Sequence, residues 1–286
     1  MHIRSTGARL ERAPAFPEPG AGHMIAMPLE AKTTEAKLYV IPGSHACRTG
    51  KLMLEHKGIE YDQVELPAGM HPLMLRLRGF SGNRPFRKLD GKRHVMVETA
   101  DRMGTVPALK IDGQRVKTNR DIAQFLEEMR PDPPLYPADP AQRAAVEEAE
   151  RWGDEVFQMT ARRLALAAAV RGGDAIIGGG SEGRLGPLLF HNDRVRAIGT
   201  KMFGRFVFSA GAQAESELLA VLPEQLDHVD SLVEGGVLNG ERLYAADFMI
   251  APSLALLTYV KDLRPEIERR PAIRLVDRIL PEPATA

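Results

Sequence analysis

Short uninterrupted apolar runs alternate with helix-spaced apolar positions in the first half of the chain, and helix-spaced positions dominate the second. Lys37-Leu38-Tyr39-Val40-Ile41 reads as a short buried strand, Pro42-Gly43 as a turn, and Cys47 to Lys57 as a helix closed by Gly58. Ser44 therefore stands at a helix N-cap. Tyr61 to Leu66 can pair with the first strand. Ala108 to Ile111 and Arg115 to Lys117 flank Asp112-Gly113, a strong hairpin-turn dipeptide. The next predicted helix is capped by Asn119 and turns Ile122, Phe125, Leu126 and Met129 inward.

Between Arg130 and Pro140, five prolines (Pro131, Pro133, Pro134, Pro137 and Pro140) exclude regular helix or a central strand, which makes this stretch the best domain boundary. No convincing strand is legible beyond it. Asp139-Pro140 supplies an N-cap and an N1 proline, and Val146, Ala149, Trp152, Val156 and Phe157 share one face of a long helix. Seven glycines from Gly172 to Gly186 end it. Leu188 to Phe208 and Glu215 to Val233 read as amphipathic helices, and Ala246 onward as the most hydrophobic one. The apolar stretch from Ala245 to Val260 is broken by Asp247, Pro252 and Ser253 and is too short to span a bilayer, so it reads as a core helix. Residues 1–36 carry scattered prolines without a sustained period and predict a flexible tail, with Met24 or Met27 a candidate for the true first residue. The predicted organisation is a tail over 1–36, an α/β domain over 37–130, a Pro-rich linker over 131–140 and an all-α domain over 141–286.

With 286 residues, 44% hydrophobic and 27% charged, the chain is long enough for two packed domains and too apolar to be disordered. Lys+Arg and Asp+Glu both number 38, so no net charge draws the protein toward nucleic acid or an anionic membrane; small molecules or proteins are the expected partners. The single cysteine, Cys47, excludes an internal disulfide framework and a Cys-rich metal site, so no metal is expected and a reducing, cytoplasmic setting fits. Cys47 is in step with Gly50 and Leu54, which reads as the inner face of its helix, and a redox or catalytic role is the alternative. His45 lies beside the cap without an acidic partner nearby in sequence and reads as a solvent-facing loop residue.

The cap position has chemical content. A helix N-terminus offers free backbone N–H groups and a positive dipole end, and both favour a nearby thiolate over a thiol. The dipole contributes about 0.3–2 kcal/mol and a hydroxyl hydrogen bond to an anion about 1.5–3, so a thiol bound beside Ser44 would acidify by roughly one to three pKa units.

A strand, a capped helix opening with Ser44-His45-Ala46-Cys47, a Val-Pro before a hairpin, a further helix and a Pro-rich linker to an all-α half together resemble the cytosolic glutathione S-transferase superfamily, in its Ser-using, bacterial-like form. The carriers are Leu38-Tyr39, Ser44, Lys57-Gly58-Ile59-Glu60-Tyr61, Thr105-Val106-Pro107-Ala108-Leu109 and Asp121-Ile122-Ala123-Gln124-Phe125-Leu126, within a resemblance that runs from Lys37 to about Leu280. It implies an α+β protein: an N-terminal thioredoxin-like domain (βαβαββα) followed by an all-α C-terminal domain. It also implies a cis Pro107, with the Val106 N–H and C=O pairing strand-like with the cysteinyl part of glutathione and setting its sulfur beside the first helix. Thr118-Asn119 stands where relatives hold the γ-glutamyl end. Ser44 falls where omega-like and glutaredoxin-like relatives carry their nucleophilic cysteine, and Cys47 on the second cysteine of the glutaredoxin Cys-x-x-Cys. Ser44 and Cys47 are thus the candidate catalytic residues, and Ser44, Val106, Pro107, Thr118 and Asn119 the candidate thiol-binding ones.

The resemblance implies an enzyme that binds glutathione as co-substrate, ionises it near Ser44 and directs it at a small hydrophobic electrophile, in a homodimer serving detoxification. The electrophile pocket would be lined by Trp152 to Met159 and the loop after Ile41. Two further readings stay open: a thiol-disulfide or deglutathionylating oxidoreductase using Cys47, and a non-catalytic binding scaffold. The chain also departs from the family pattern. Thr118-Asn119 replaces an acidic or Gln residue followed by Ser. A stretch over 82–103 is inserted, made locally basic by Arg84, Arg87, Lys88, Lys92 and Arg93 against Asp90; it reads as a solvated excursion or as a flap whose arginines meet ligand carboxylates. Tyr244-Ala245-Ala246-Asp247 keeps the acid of a Ser/Thr-x-x-Asp capping box and lacks its aliphatic hydroxyl. Of the 38 basic residues 28 are Arg, a bias common in proteins from GC-rich bacteria, some of which use a thiol other than glutathione.

Overall fold

The computed structural model describes residues 35–67, 70–80, 106–172, 184–185 and 212–281. The tail through residue 34, the insertion over 82–103, the glycines from Gly173 to Gly183 and the helix expected over Leu188 to Phe208 lie outside them.

The continuous apolar run at the start of the described chain becomes strand β1 (Ala36–Val40), whose alternate positions are nearly all buried because it lies inside the sheet. It pairs in parallel with β2 (Asp62–Glu65), register Lys37↔Asp62, and antiparallel with β3 (Ala108–Ile111), register Leu38↔Leu109. β3 turns back through Asp112 and Gly113, at φ 45 and 85, into β4 (Gln114–Lys117), giving the order β2-β1-β3-β4. Two successive positive φ angles are what a tight hairpin needs, so the Asp-Gly pair does here what its chemistry predicts. Helix α1 (His45–His56) joins β1 to β2, α2 (His71–Leu77) follows β2, and α3 (Asn119–Met129) follows β4. This is the thioredoxin-like βαβαββα order within an α+β fold.

Beyond the prolines only helices occur among the described residues: α4 (Pro140–Trp152), a π-turn (Gly153–Phe157), α5 (Gln158–Gly172), α6 (Ala212–Glu234), α7 (Ala245–Thr258), α8 (Arg264–Glu268) and α9 (Ile273–Ile279). The long helix expected through Phe157 thus runs on to Gly172, widened to π geometry over one turn after Trp152. Gly153 explains where: a Cβ there would lie 3.0 Å from Ile250 Cγ1 and from Met249 Cγ, so the bare backbone lets this turn rest directly on α7. All fourteen residues of α7 are buried, as a helix without a polar face requires, and α1, α4, α5 and α9 pack around it. Its one buried acid, Asp247, accepts from the N–H of Tyr244 at 2.8 Å and of Asn239 at 2.6 Å. The acidic half of the capping box is thus in place, and Asp247 also ties down the preceding loop. Among the described residues no helix is long and apolar enough to cross a membrane.

The C-terminal end of α1 is locked to α3 by charge. Ile59 N–H donates to Leu54 O and Gly58 N–H to Glu55 O, both at 3.0 Å, with Gly58 at φ 61, the left-handed closure expected of a helix that ends in glycine. Beside it the fully buried Lys57 ammonium donates to Glu127 Oε2 and to Arg130 O, each at 2.6 Å. Glu127 Oε2 also accepts Leu135 N–H at 2.8 Å, and the Arg130 guanidinium donates back to Lys57 O at 2.7 Å. Met129, expected on the inner face of α3, is instead 38% exposed, because the helix is already ending at the chain's exit toward the prolines.

Candidate functional site

Three segments converge on the first two turns of α1. Ser44 has the extended backbone of an N-cap (φ −77, ψ 119), and its Oγ accepts Cys47 N–H at 3.4 Å. The expected cap is therefore present, with a hydroxyl standing at the positive end of the helix dipole. On the flank of α1 sits Pro107, joined to Val106 by a cis peptide bond, as expected. Its approach depends on Gly50: a Cβ there would lie 3.0 Å from Pro107 Cγ and 3.1 Å from its Cβ. The β1–β3 pairing ends at Tyr39↔Ala108, so Val106 lies just beyond the paired part of the sheet, toward the start of α1. Asn119, the first residue of α3, is 3% exposed and donates from Nδ2 to Ala46 O at 3.0 Å.

The expectation that Asn119 caps α3 is corrected. Thr118 is the cap, its Oγ1 accepting Asp121 N–H at 3.2 Å, and it adopts φ 69 and ψ 147, a left-handed backbone uncommon for a β-branched residue. That turn sends the Asn119 side chain back to α1 rather than over the end of its own helix. His45 is also corrected: it is the first residue of α1, 4% exposed, with ring Nε2 placed to donate to Gln158 O at 3.4 Å. It is buried because α5 covers the start of α1 at this point. Burial, with the nearby Arg162 guanidinium, pushes the imidazole down to about 3, so it is neutral at physiological pH.

Cys47 is 1% exposed in the apolar core, in phase with buried Gly50 and Leu54, and its Sγ accepts Ile41 N–H at 3.4 Å. Burial pushes the thiol above its ordinary value, against the opposing pull of Ser44 and of the Ile41 N–H. A buried thiol of raised pKa is a poor nucleophile, whereas Ser44 remains partly exposed.

Around this centre lie ionic groups that spacing did not reveal. Arg120, next to Asn119, reaches Glu155 of the π-turn at 3.7 Å. Burial raises the neighbouring Asp154 carboxyl to about 6, with Arg120 and Arg162 pulling the other way. Lys51, half-buried on α1, is lowered first by burial and then by Arg48. Of the expected pocket lining, Trp152 is half-buried and stacks on Phe157 at 5.3 Å, while Phe157, Gln158 and Met159 are buried. The sequence signal for the Pro107 contact was Gly50 itself: a glycine in mid-helix costs about 1 kcal/mol and persists where another backbone or ring must come close.

Residues 38–134 match the family described as glutathione S-transferase, N-terminal domain. Maleylacetoacetate isomerase of Rattus norvegicus is 49% identical over 49 residues, which are 17% of this chain and 23% of that protein, and that of Mus musculus matches to the same extent. The matched stretch thus spans less than a quarter of the length of these curated relatives. A glutathione S-transferase-like protein from Pseudomonas syringae shares the fold with a TM-score of 0.51 and 21% identity, over 86% of this chain and 66% of that one. A glutathione S-transferase of Ceriporiopsis subvermispora, solved in complex with glutathione, gives 0.57 at 14% identity, over 88% of this chain and all of the other.

Proposed function

We propose, from the match of residues 38–134 to the glutathione S-transferase N-terminal domain, that the chain is a transferase-like enzyme of that superfamily that binds glutathione or a related thiol and activates it for attack on an electrophile. The observation that carries the reading is Ser44: an oxygen-bearing cap at the open end of α1, with the chain's one thiol turned into the core beneath it. A thiol sulfur placed there meets a hydroxyl donor and the helix dipole, and its thiolate is favoured without a protein nucleophile. Val106 supplies a backbone edge for the cysteinyl unit. The first N–H groups of α3 supply donors for a carboxylate. The electrophile lies against the Trp152–Met159 side, and catalysis is positioning plus electrostatics. The division at 131–140 into a thiol-binding and a helical domain, homodimeric assembly, and a cytoplasmic role in detoxification belong to the same reading. Burial of Cys47 weighs against the oxidoreductase alternative.

Likeness to the maleylacetoacetate isomerases supports a second outcome from the same geometry. A thiolate that adds to a conjugated carbon–carbon double bond allows rotation about the former double bond; expelling the thiolate restores the double bond and returns the thiol unconsumed. Whether glutathione is used up or recovered separates conjugation from isomerisation.

The test is calorimetric titration with glutathione and S-hexyl-glutathione, with conjugation to chlorodinitrobenzene measured alongside, on the wild type and on Ser44→Ala. Loss of one charge-assisted hydrogen bond, worth about 1.5–3 kcal/mol, is expected to slow conjugation at neutral pH by roughly 10- to 100-fold. Failure of either ligand to bind at millimolar concentration would refute the thiol-binding reading.

A further inference from the structure

Asn119 opens α3, yet its side chain faces α1. The residue is 3% exposed; its amide gives its N–H to Ala46 O at 3.0 Å and leaves Oδ1 without a partner among the described residues. That oxygen lies 3.6 Å from the point a Gly50 Cβ would occupy, beside the Pro107 contact. Capping of α3 is already done by Thr118. An orphaned buried acceptor is a cost, so stability alone does not account for an amide here. What the amide does accomplish is geometric. It ties the second residue of α1 to the first residue of α3, and Thr118 holds the left-handed turn that directs it there. A serine is too short to make this tie.

We propose that Asn119 is a positioning residue: its amide fixes the first turn of α1 against the start of α3, so that Ser44 meets the sulfur of a thiol whose carboxylate end rests on the α3 backbone. This rests on the thiol-binding reading above. The side chain is committed to α1, so the ligand's carboxylate is met by backbone N–H groups alone. Asn119 couples the two ends of the site, and together with Gly50 it holds α3, Pro107 and α1 in one frame.

The experiment compares wild type, Asn119→Ser and Asn119→Asp by three measurements: the pH profile of kcat/KM for glutathione with chlorodinitrobenzene, the Kd of S-hexyl-glutathione, and the melting temperature. S-hexyl-glutathione fills the site and has no thiol to ionise, so it reads binding without ionisation. Loosening the first turn of α1 is expected to raise the pH midpoint of the profile by about half to one unit, with the S-hexyl-glutathione Kd changed by no more than about threefold. A Kd weakened about tenfold or more at an unchanged midpoint would make Asn119 a direct ligand and overturn the proposal. A lowered melting temperature with both midpoint and Kd as in the wild type would overturn it too. Should Asn119→Asp fail to fold, Asn119→Ser reads the same quantities. A wild type that binds neither ligand overturns this inference together with the reading beneath it, whereas a wild type that binds, beside variants with its midpoint, overturns this inference alone.

Discussion

Replacing Lys57 by Met tests whether burial, rather than contact distance, decides the worth of an ion pair in this fold. Lys57 Nζ lies 2.6 Å from Glu127 Oε2 with side-chain exposures of 0% and 15%, while Arg143 and Glu147 make a 2.7 Å pair at 45% and 44%. The distances are nearly equal. In Lys57→Met, the Glu127 carboxyl loses the buried ammonium and retains the Leu135 N–H among the described residues, and the Arg130 carbonyl loses its donor. Breaking a buried pair from one side costs about 3–5 kcal/mol, a large share of a domain stability of about 5–15. The exposed pair is worth about 0.3–0.5 kcal/mol. Urea unfolding followed by circular dichroism reads both values. In the double variant Lys57→Met, Glu127→Leu the uncompensated charge is gone, so its cost should lie below that of Lys57→Met alone, a coupling of at least about 1 kcal/mol. A Lys57→Met cost under about 1 kcal/mol, or strict additivity in the cycle, would refute this reasoning.

Two other outcomes are expected from buried carboxyls. Burial raises Glu150 to about 8, against the hydrogen bond from Tyr136 Oη at 3.0 Å. The folded state therefore keeps a proton that the unfolded chain releases above about 4.5, and the resulting stabilisation is lost as pH climbs toward 8. Asp154 and Asp247, raised to about 6, act in the same direction at lower pH, and His45, lowered to about 3, is neutral in both states above its ordinary value of 6.5. Unfolding free energy should thus fall between about pH 6.5 and 8 by up to ~1.4 kcal/mol per unit, and Glu150→Gln should flatten that slope; a variant with the wild-type slope would contradict the assignment. Asp247→Ala removes the acceptor for two backbone N–H groups and should cost about 1–3 kcal/mol while leaving the affinity for S-hexyl-glutathione unchanged; an unaltered melting temperature would count against it.

The sheet was legible because its strands use strong local signals. β1 is an unbroken apolar run between two other strands, and Asp112-Gly113 is the dipeptide that a tight hairpin demands. The Ser44 cap and the buried phase of Cys47 followed from helical spacing alone. Where reading failed, a tertiary contact chose between locally equivalent options. Thr118 and Asn119 are both good caps, and only the positive φ at Thr118 decides which one serves. His45 looks like a loop residue until α5 is laid over it. Lys57 ends a helix and would ordinarily face water; its role depends on Glu127, seventy residues away. The π-turn was invisible because helical phase was read with a fixed period of 3.6, and Gly153 against α7 breaks that period.

The chain's one tryptophan lies at the start of that turn: Trp152 stacks on Phe157 and makes a T-shaped contact with His228, ring centres 4.5 Å apart. Selective excitation of indole emission therefore watches the junction of α4, the π-turn and α6 without any label. Backbone ellipticity sums over the whole chain, strands included. If the two signals change at the same denaturant concentration, helices and sheet come apart as one cooperative unit; if the indole signal moves first, the helical part loosens while the sheet stands.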